Sequence, residues 1–126
     1  MLQATGTTVR GDFVMGMLPA GFDDLEEFVG RWDHPSSHER WVARSASDYT
    51  ETQRFYDAML PRMEPATQHV EQYALDAMPD DAARLFRLIL AMMHASVAVE
   101  LHQASRVPYS PFPHSLRIEA GIQPYG

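Results

Sequence analysis

Residues Asp80 to Gln103 read DDAARLFRLILAMMHASVAVELHQ, and the reading of this stretch decides the fold. On a helical wheel at about 100° per residue, Phe86, Ile89, Met93 and Val97 form one wall. Leu85, Leu88, Met92 and Val99 widen it on one flank, Leu90 and Leu101 on the other. A helix that is apolar over most of its circumference is a buried helix. Glu100 falls inside the apolar arc, between Ile89 and Met93. A carboxylate buried there must be ion-paired, protonated or bound to a ligand. Arg54, Arg62 and Arg117 are the candidate partners.

The chain upstream supplies cover for this helix. Pro19-Ala20-Gly21 punctuates the sequence before a first helix, with Asp23 as its expected N-cap and Asp24, Glu26 and Glu27 in the first turn, where the helix dipole favours negative charge. Leu25, Phe28, Val29 and Trp32 then form one apolar stripe, which ends at Asp33-His34-Pro35. Ser36 and Glu39 make a capping-box pattern that opens a short helix to about Arg44, with Trp41 and Val42 as its apolar contribution. Ser45 or Ser47 is expected to close it and cap the next. From Asp48 to about Ala77 the periodicity is helical again, through Tyr56, Met59, Leu60, Met63, Val70 and Tyr73. Pro61 and Pro65 fall inside this stretch. The apolar register continues across them, which predicts a kinked helix rather than two separate ones. Asp80 is the expected N-cap of the apolar helix, which should run to about Ser105.

The expected architecture is therefore all-α, a four- to five-helix bundle-like domain over residues 19–105. A loose arm precedes it, residues 1–18. A tail follows, residues 106–126, with Pro108, Pro111, Pro113 and Pro124 interleaved with Tyr109, Phe112 and Tyr125. Such proline density predicts an irregular strap whose aromatic rings press on the helices or on a partner. Ser115 to Glu119 has the look of a short strand, but there is no sheet for it to join.

Composition narrows the function. The 126 residues carry a net charge of −7, which argues against nucleic acid and against an anionic membrane surface as partners. All ten basic residues are arginine, a pattern expected of a GC-rich bacterial coding sequence. The absence of cysteine excludes thiolate catalysis, disulfides and cysteine-type metal sites. No signal-peptide pattern opens the chain, and the longest apolar run, Leu88 to Val99, is short for a bilayer span. The expectation is a cytoplasmic protein.

Candidate chemistry is sparse. His94 and His102 are two turns apart on the apolar helix, too far to chelate one ion. No Glu-x-x-His pair of the di-iron type occurs. Asp33, His34, His38 and Glu39 cluster around Pro35, where capping explains them as well as metal binding does, so no metal and no cofactor is expected. There is no Gly-x-Ser-x-Gly elbow and no phosphate-cradling glycine loop. Trp32, Trp41, Phe28, Phe55 and Tyr56 serve either as core or as the lining of an apolar pocket. The sequence thus favours a non-catalytic protein acting by association, as a homodimer or as an accessory subunit of a larger protein. A two-fold partner is the simplest cover for so apolar a helix. The alternative is a binder of a small apolar ligand or cofactor, lined by Trp41 and Tyr56, with Glu100 or His94 as polar anchor.

Overall fold

The computed structural model describes residues 16–109, 112–113 and 117–126. Its helices are α1 (Val29–Trp32), α2 (Ser37–Ala46), α3 (Tyr49–Met59), α4 (Met63–Val70) and α5 (Asp80–Ser96). The four longer ones pack together around a buried core, and the described residues contain no strand. Helix α5 is the hub, touching each of the other four. The expected all-α architecture is the observed one.

Local chemistry accounts for most boundaries. Ser36 Oγ accepts from the Glu39 N–H at 3.2 Å and so caps α2. Asp48, rather than Ser45 or Ser47, heads α3, with the Glu51 carboxylate reaching back to the Asp48 N–H at 3.1 Å. The Ser47 hydroxyl instead donates to the Ala43 carbonyl at the end of α2. Pro61 sits in a 3-10 turn, Leu60–Arg62, that joins α3 directly to α4. The backbone stays right-handed through that turn, so the stretch is one kinked helix. It stops at Val70, short of the expected Ala77, and Tyr73 and Ala74 lie beyond it.

The first helix is tighter than expected. Asp23–Phe28 is 3-10, only Val29–Trp32 is α, and Phe22, not Asp23, precedes the first turn. The apolar stripe nevertheless faces inward as read: Leu25, Phe28, Val29 and Trp32 are all buried. Trp32 stacks on Phe55, with ring centroids 4.5 Å apart, and Phe28 tilts against the same ring at 5.5 Å. These three aromatics are core filler. Leu18, expected in a loose arm, is also buried in this core. The rest of that arm up to residue 15, and residues 115 and 116 of the strand-like segment, lie outside the described residues.

Helix α5 differs most from its wheel. Its buried residues are Ala82, Ala83, Leu85, Leu88, Ile89, Ala91, Met92 and Ala95, with Ala98 just beyond, so Ile89 and the flank Leu85, Leu88 and Met92 face inward as read. Met93 and Val97, centre of the expected wall, are 50% and 39% exposed, and Leu101 is 73% exposed. The inward face is thus rotated by about a third of a turn from the expected one. A helix apolar almost all round carries no amphipathic signal to orient it. Alanine decides the matter, because Ala91, Ala95 and Ala98 let neighbouring helices approach closely and pack without voids. At Val97 the helix widens into a π turn that continues to His102, which further displaces later side chains from an α wheel. The helical run Asp80–His102 spans 23 residues and is long and apolar enough to cross a membrane by length and composition, beyond the shorter apolar run read from the sequence. Half of its apolar window is buried inside the fold.

Candidate functional site

Of the four side chains singled out by the sequence, Glu100 and Tyr56 meet, while Trp41 and His94 lie elsewhere. Glu100 is exposed, contrary to the expectation of a buried carboxylate, because the wheel placed the inward face on the wrong side. Its partner is Tyr56, whose hydroxyl donates to Oε2 of Glu100 across the α3–α5 interface. That hydrogen bond, followed by a little desolvation and the carboxylate's charge, raises the Tyr56 pKa. None of the candidate arginines reaches Glu100 as an ion-pair partner: Arg54 pairs with Glu27, and Arg62 with Asp24 and the Gly21 carbonyl. Trp41 stands apart on α2, half-buried, edge-on to the His38 ring at 5.7 Å. His94 is half-buried and faces α2 rather than α3.

The buried carboxylate of this fold is Glu26, which hydrophobicity gave no reason to suspect. It is 3% exposed, and its Oε2 accepts from the Leu18 N–H at 2.9 Å. Its Oε1 has no partner among the described residues. Glu26 pins the incoming chain to the 3-10 turn that leads into α1.

The densest buried charge lies between α2 and α5. Arg40 is 3% exposed and Arg44 is 5% exposed. They sit one turn apart on the face of α2 that also carries Ser37, while Trp41 and Val42, the expected apolar contribution, are only half-buried. Arg40 donates from Nη1 to the His34 carbonyl at 2.9 Å, and from Nη2 to Ser37 Oγ at 3.4 Å and to the Tyr125 carbonyl. Arg44 reaches Ser45 Oγ at 3.4 Å, and its Nε is unpartnered among the described residues. Burial lowers the pKa of both guanidinium groups. For Arg40 the charge of Arg87 adds to this, and Glu39 and Asp33 partly offset it. Arg87 grips Asp33 with two donors, and that bond raises its pKa. Next to the pair, burial and then the charges of Arg44 and Arg40 push His94 down to about 4, so the ring is neutral at pH 7. The only sequence signal for this locus was two arginines at i, i+4 on a short helix, which on a surface helix means nothing.

Beside Arg40 opens a cleft of about 320 Å³, walled by Leu75, Phe86 and Leu90 and by the C-terminal segment Ile122–Gly126. Tyr125 packs edge-on to Phe86, centroids 5.0 Å apart. Of the other tail aromatics, Tyr109 projects into solvent, and Phe112 lies beneath the Arg106 guanidinium at 4.7 Å.

The histidine–carboxylate cluster at Pro35 is spent on structure. Asp33 holds Arg87, His34 Nε2 bonds the Arg31 carbonyl at 2.7 Å, and Ser36 donates to Glu39 at 2.9 Å. His38 Nδ1 accepts from the Ile118 N–H at 3.1 Å. No group of three or more potential metal ligands occurs among the described residues. Comparison with protein families, with curated proteins and with solved structures gives no match, so the geometry alone carries the functional reading.

Proposed function

We propose that this is a non-catalytic helical protein that acts by association, and that the outer face of α5 joins a second copy of the chain. One observation carries the proposal: Met93, Val97 and Leu101 lie at four-residue spacing and are 50%, 39% and 73% exposed. Apolar side chains strung along one helix face are costly to leave in water and characteristic of interfaces. Leu60, one turn beyond Tyr56 on α3 and 52% exposed, extends the strip toward α3. Val97 lies at the middle of the strip. A two-fold axis there sets Met93 of one copy against Leu101 of the other, an arrangement in which the patch is its own complement.

A small apolar ligand anchored by Glu100 or His94 has less support. Glu100 is at the surface on Tyr56, and His94 is on another side of the helix.

Light scattering at micromolar concentration tests the proposal. The expected mass is about twice the 14.3 kDa of the chain, and Val97→Glu should return it to the monomer value with helical content unchanged. A wild-type mass of one chain at every concentration refutes it.

A further inference from the structure

The cleft beside Arg40 holds a feature that association does not explain. Three guanidinium groups, Arg40, Arg44 and Arg87, gather between α2 and α5, and one carboxylate, Asp33, stands among them, committed to Arg87. Among the described residues no carboxylate lies within ion-pair distance of Arg40 or Arg44. Burying a cation without an anion beside it is costly, because its hydration is lost and no charge replaces it. Asp33, held by Arg87, and Glu39, beyond ion-pair distance, offset only part of this charge.

The surroundings are equally specific. Arg40 is almost wholly buried but forms part of the cleft wall, so its guanidinium is presented from below to whatever fills the cleft. Leu75, Phe86, Leu90 and Pro124 make much of the remaining wall apolar, with Ser37 and Gln123 as polar members of the lining. The arginine is held in place by the His34 carbonyl and Ser37, which neutralise none of its charge. Its third acceptor comes from the C-terminal segment, whose Tyr125 carbonyl accepts from Nη2 while the Tyr125 ring packs on Phe86. That segment thus gives Arg40 a neutral carbonyl as its hydrogen-bond partner and gives Phe86 a ring, while Gln123 and Gly126 also line the cleft. Ile122, in the same segment, is 89% exposed, so the segment is thinly anchored apart from Tyr125.

We infer that the cleft is a binding site for a small apolar monocarboxylate, an aryl or medium-chain alkyl acid, with Arg40 gripping the carboxylate and Phe86 and Leu90 holding the apolar body. Arginine suits this role because its forked donors match the two oxygens of a carboxylate. With the segment in place the cleft measures about 320 Å³, at the small end of ligand pockets, so a small guest is favoured. Arg44 supplies a second positive charge behind Arg40. His94 stays neutral and makes no competing demand for the anion. The ligand displaces the Tyr125 carbonyl and ring, so Ile122–Gly126 acts as an internal competitor. This site is separate from the outer strip at Met93, Val97 and Leu101, and its test is independent of the oligomeric state.

The test is titration of the full chain with octanoate and with 4-phenylbutyrate, by calorimetry and by NMR of the arginine Nε–Hε and aromatic signals, with 1-octanol as the uncharged control. Saturable one-to-one binding is expected, with shifts at Arg40, Phe86 and Tyr125 and at least tenfold weaker binding of octanol. Tyr125→Ala should tighten octanoate binding severalfold by removing the competitor. Arg40→Gln should abolish the preference for acid over alcohol. Because Arg40 is buried and its loss can unfold the domain, Leu90→Glu provides the second variant: it leaves both arginines in place and should weaken octanoate at least tenfold. Absence of binding at millimolar acid, equal affinity for octanol, or shifts confined to other residues overturns the inference.

Discussion

His94 makes stability depend on pH in a way that can be calculated from its surroundings. Folding buries the ring against α2, and with the charges of Arg44 and Arg40 this takes its pKa from 6.5 to about 4. The folded value is the lower one, so below pH 6.5 the unfolded chain binds the proton that the folded chain refuses. Stability is therefore complete above about pH 6.5, falls as the pH drops from there to about 4, and loses no more from this group below that. The full interval corresponds to about 3 kcal/mol. Between pH 7 and pH 5 it corresponds to about 2 kcal/mol, and solvent reaching the half-buried ring reduces that to about 1–2 kcal/mol. The chain carries many other ionisable groups, so the His94 contribution must be read as a difference. Urea unfolding of the wild type and of His94→Gln at both pH values supplies it. The wild type should lose about 1–2 kcal/mol more than the variant on going from pH 7 to pH 5. The ring C–H signals of His94 should titrate with a midpoint near 4. A midpoint near the ordinary histidine value, or equal pH slopes in the two proteins, refutes the account of a neutral ring held against two buried arginines.

Three further outcomes follow from the packing. Glu26→Ala should cost about 1–3 kcal/mol, because the buried Leu18 N–H loses its acceptor; equilibrium unfolding measures this, and no loss would mean that the N–H finds water. Glu100→Gln should change stability by less than about half a kcal/mol and should lower the Tyr56 pKa toward the ordinary phenol value, as read by ultraviolet titration. Phe55→Ala should cost about 3–5 kcal/mol, since the ring is wholly buried between Trp32 and Phe28; thermal unfolding would show a much lower midpoint.

Much of this fold is legible residue by residue along the chain. Ser36 with Glu39 announces α2, the stripe Leu25, Phe28, Val29 and Trp32 announces an inward face, and the unbroken register across Pro61 and Pro65 announces a kinked helix. Each of these is a local matter, settled by a cap within one turn or by side chains a few residues apart. The 3-10 winding of Asp23–Phe28 and the early stop at Val70 are also local, but they turn on small energy differences that no single residue signals.

What lies between elements was not legible. The orientation of α5 was misread because nearly every face of it is apolar, and hydrophobicity cannot rank faces that are all hydrophobic. The choice fell to Ala91, Ala95 and Ala98, whose small size matters only once another helix is beside them. The buried carboxylate was sought at Glu100 and stands at Glu26, because burial of a charge depends on whether the fold brings it a donor, here the Leu18 N–H eight residues earlier in the chain. Arg40 and Arg44 carry no mark of burial in the sequence, because it is α5 that closes over them. The sequence by itself determined the helices, the Ser36 cap and the all-α class, since these rest on interactions within about a turn of chain. Only the tertiary structure decided which sides of those helices are dry, because dielectric, charge pairing and close packing are properties of what lies across the gap.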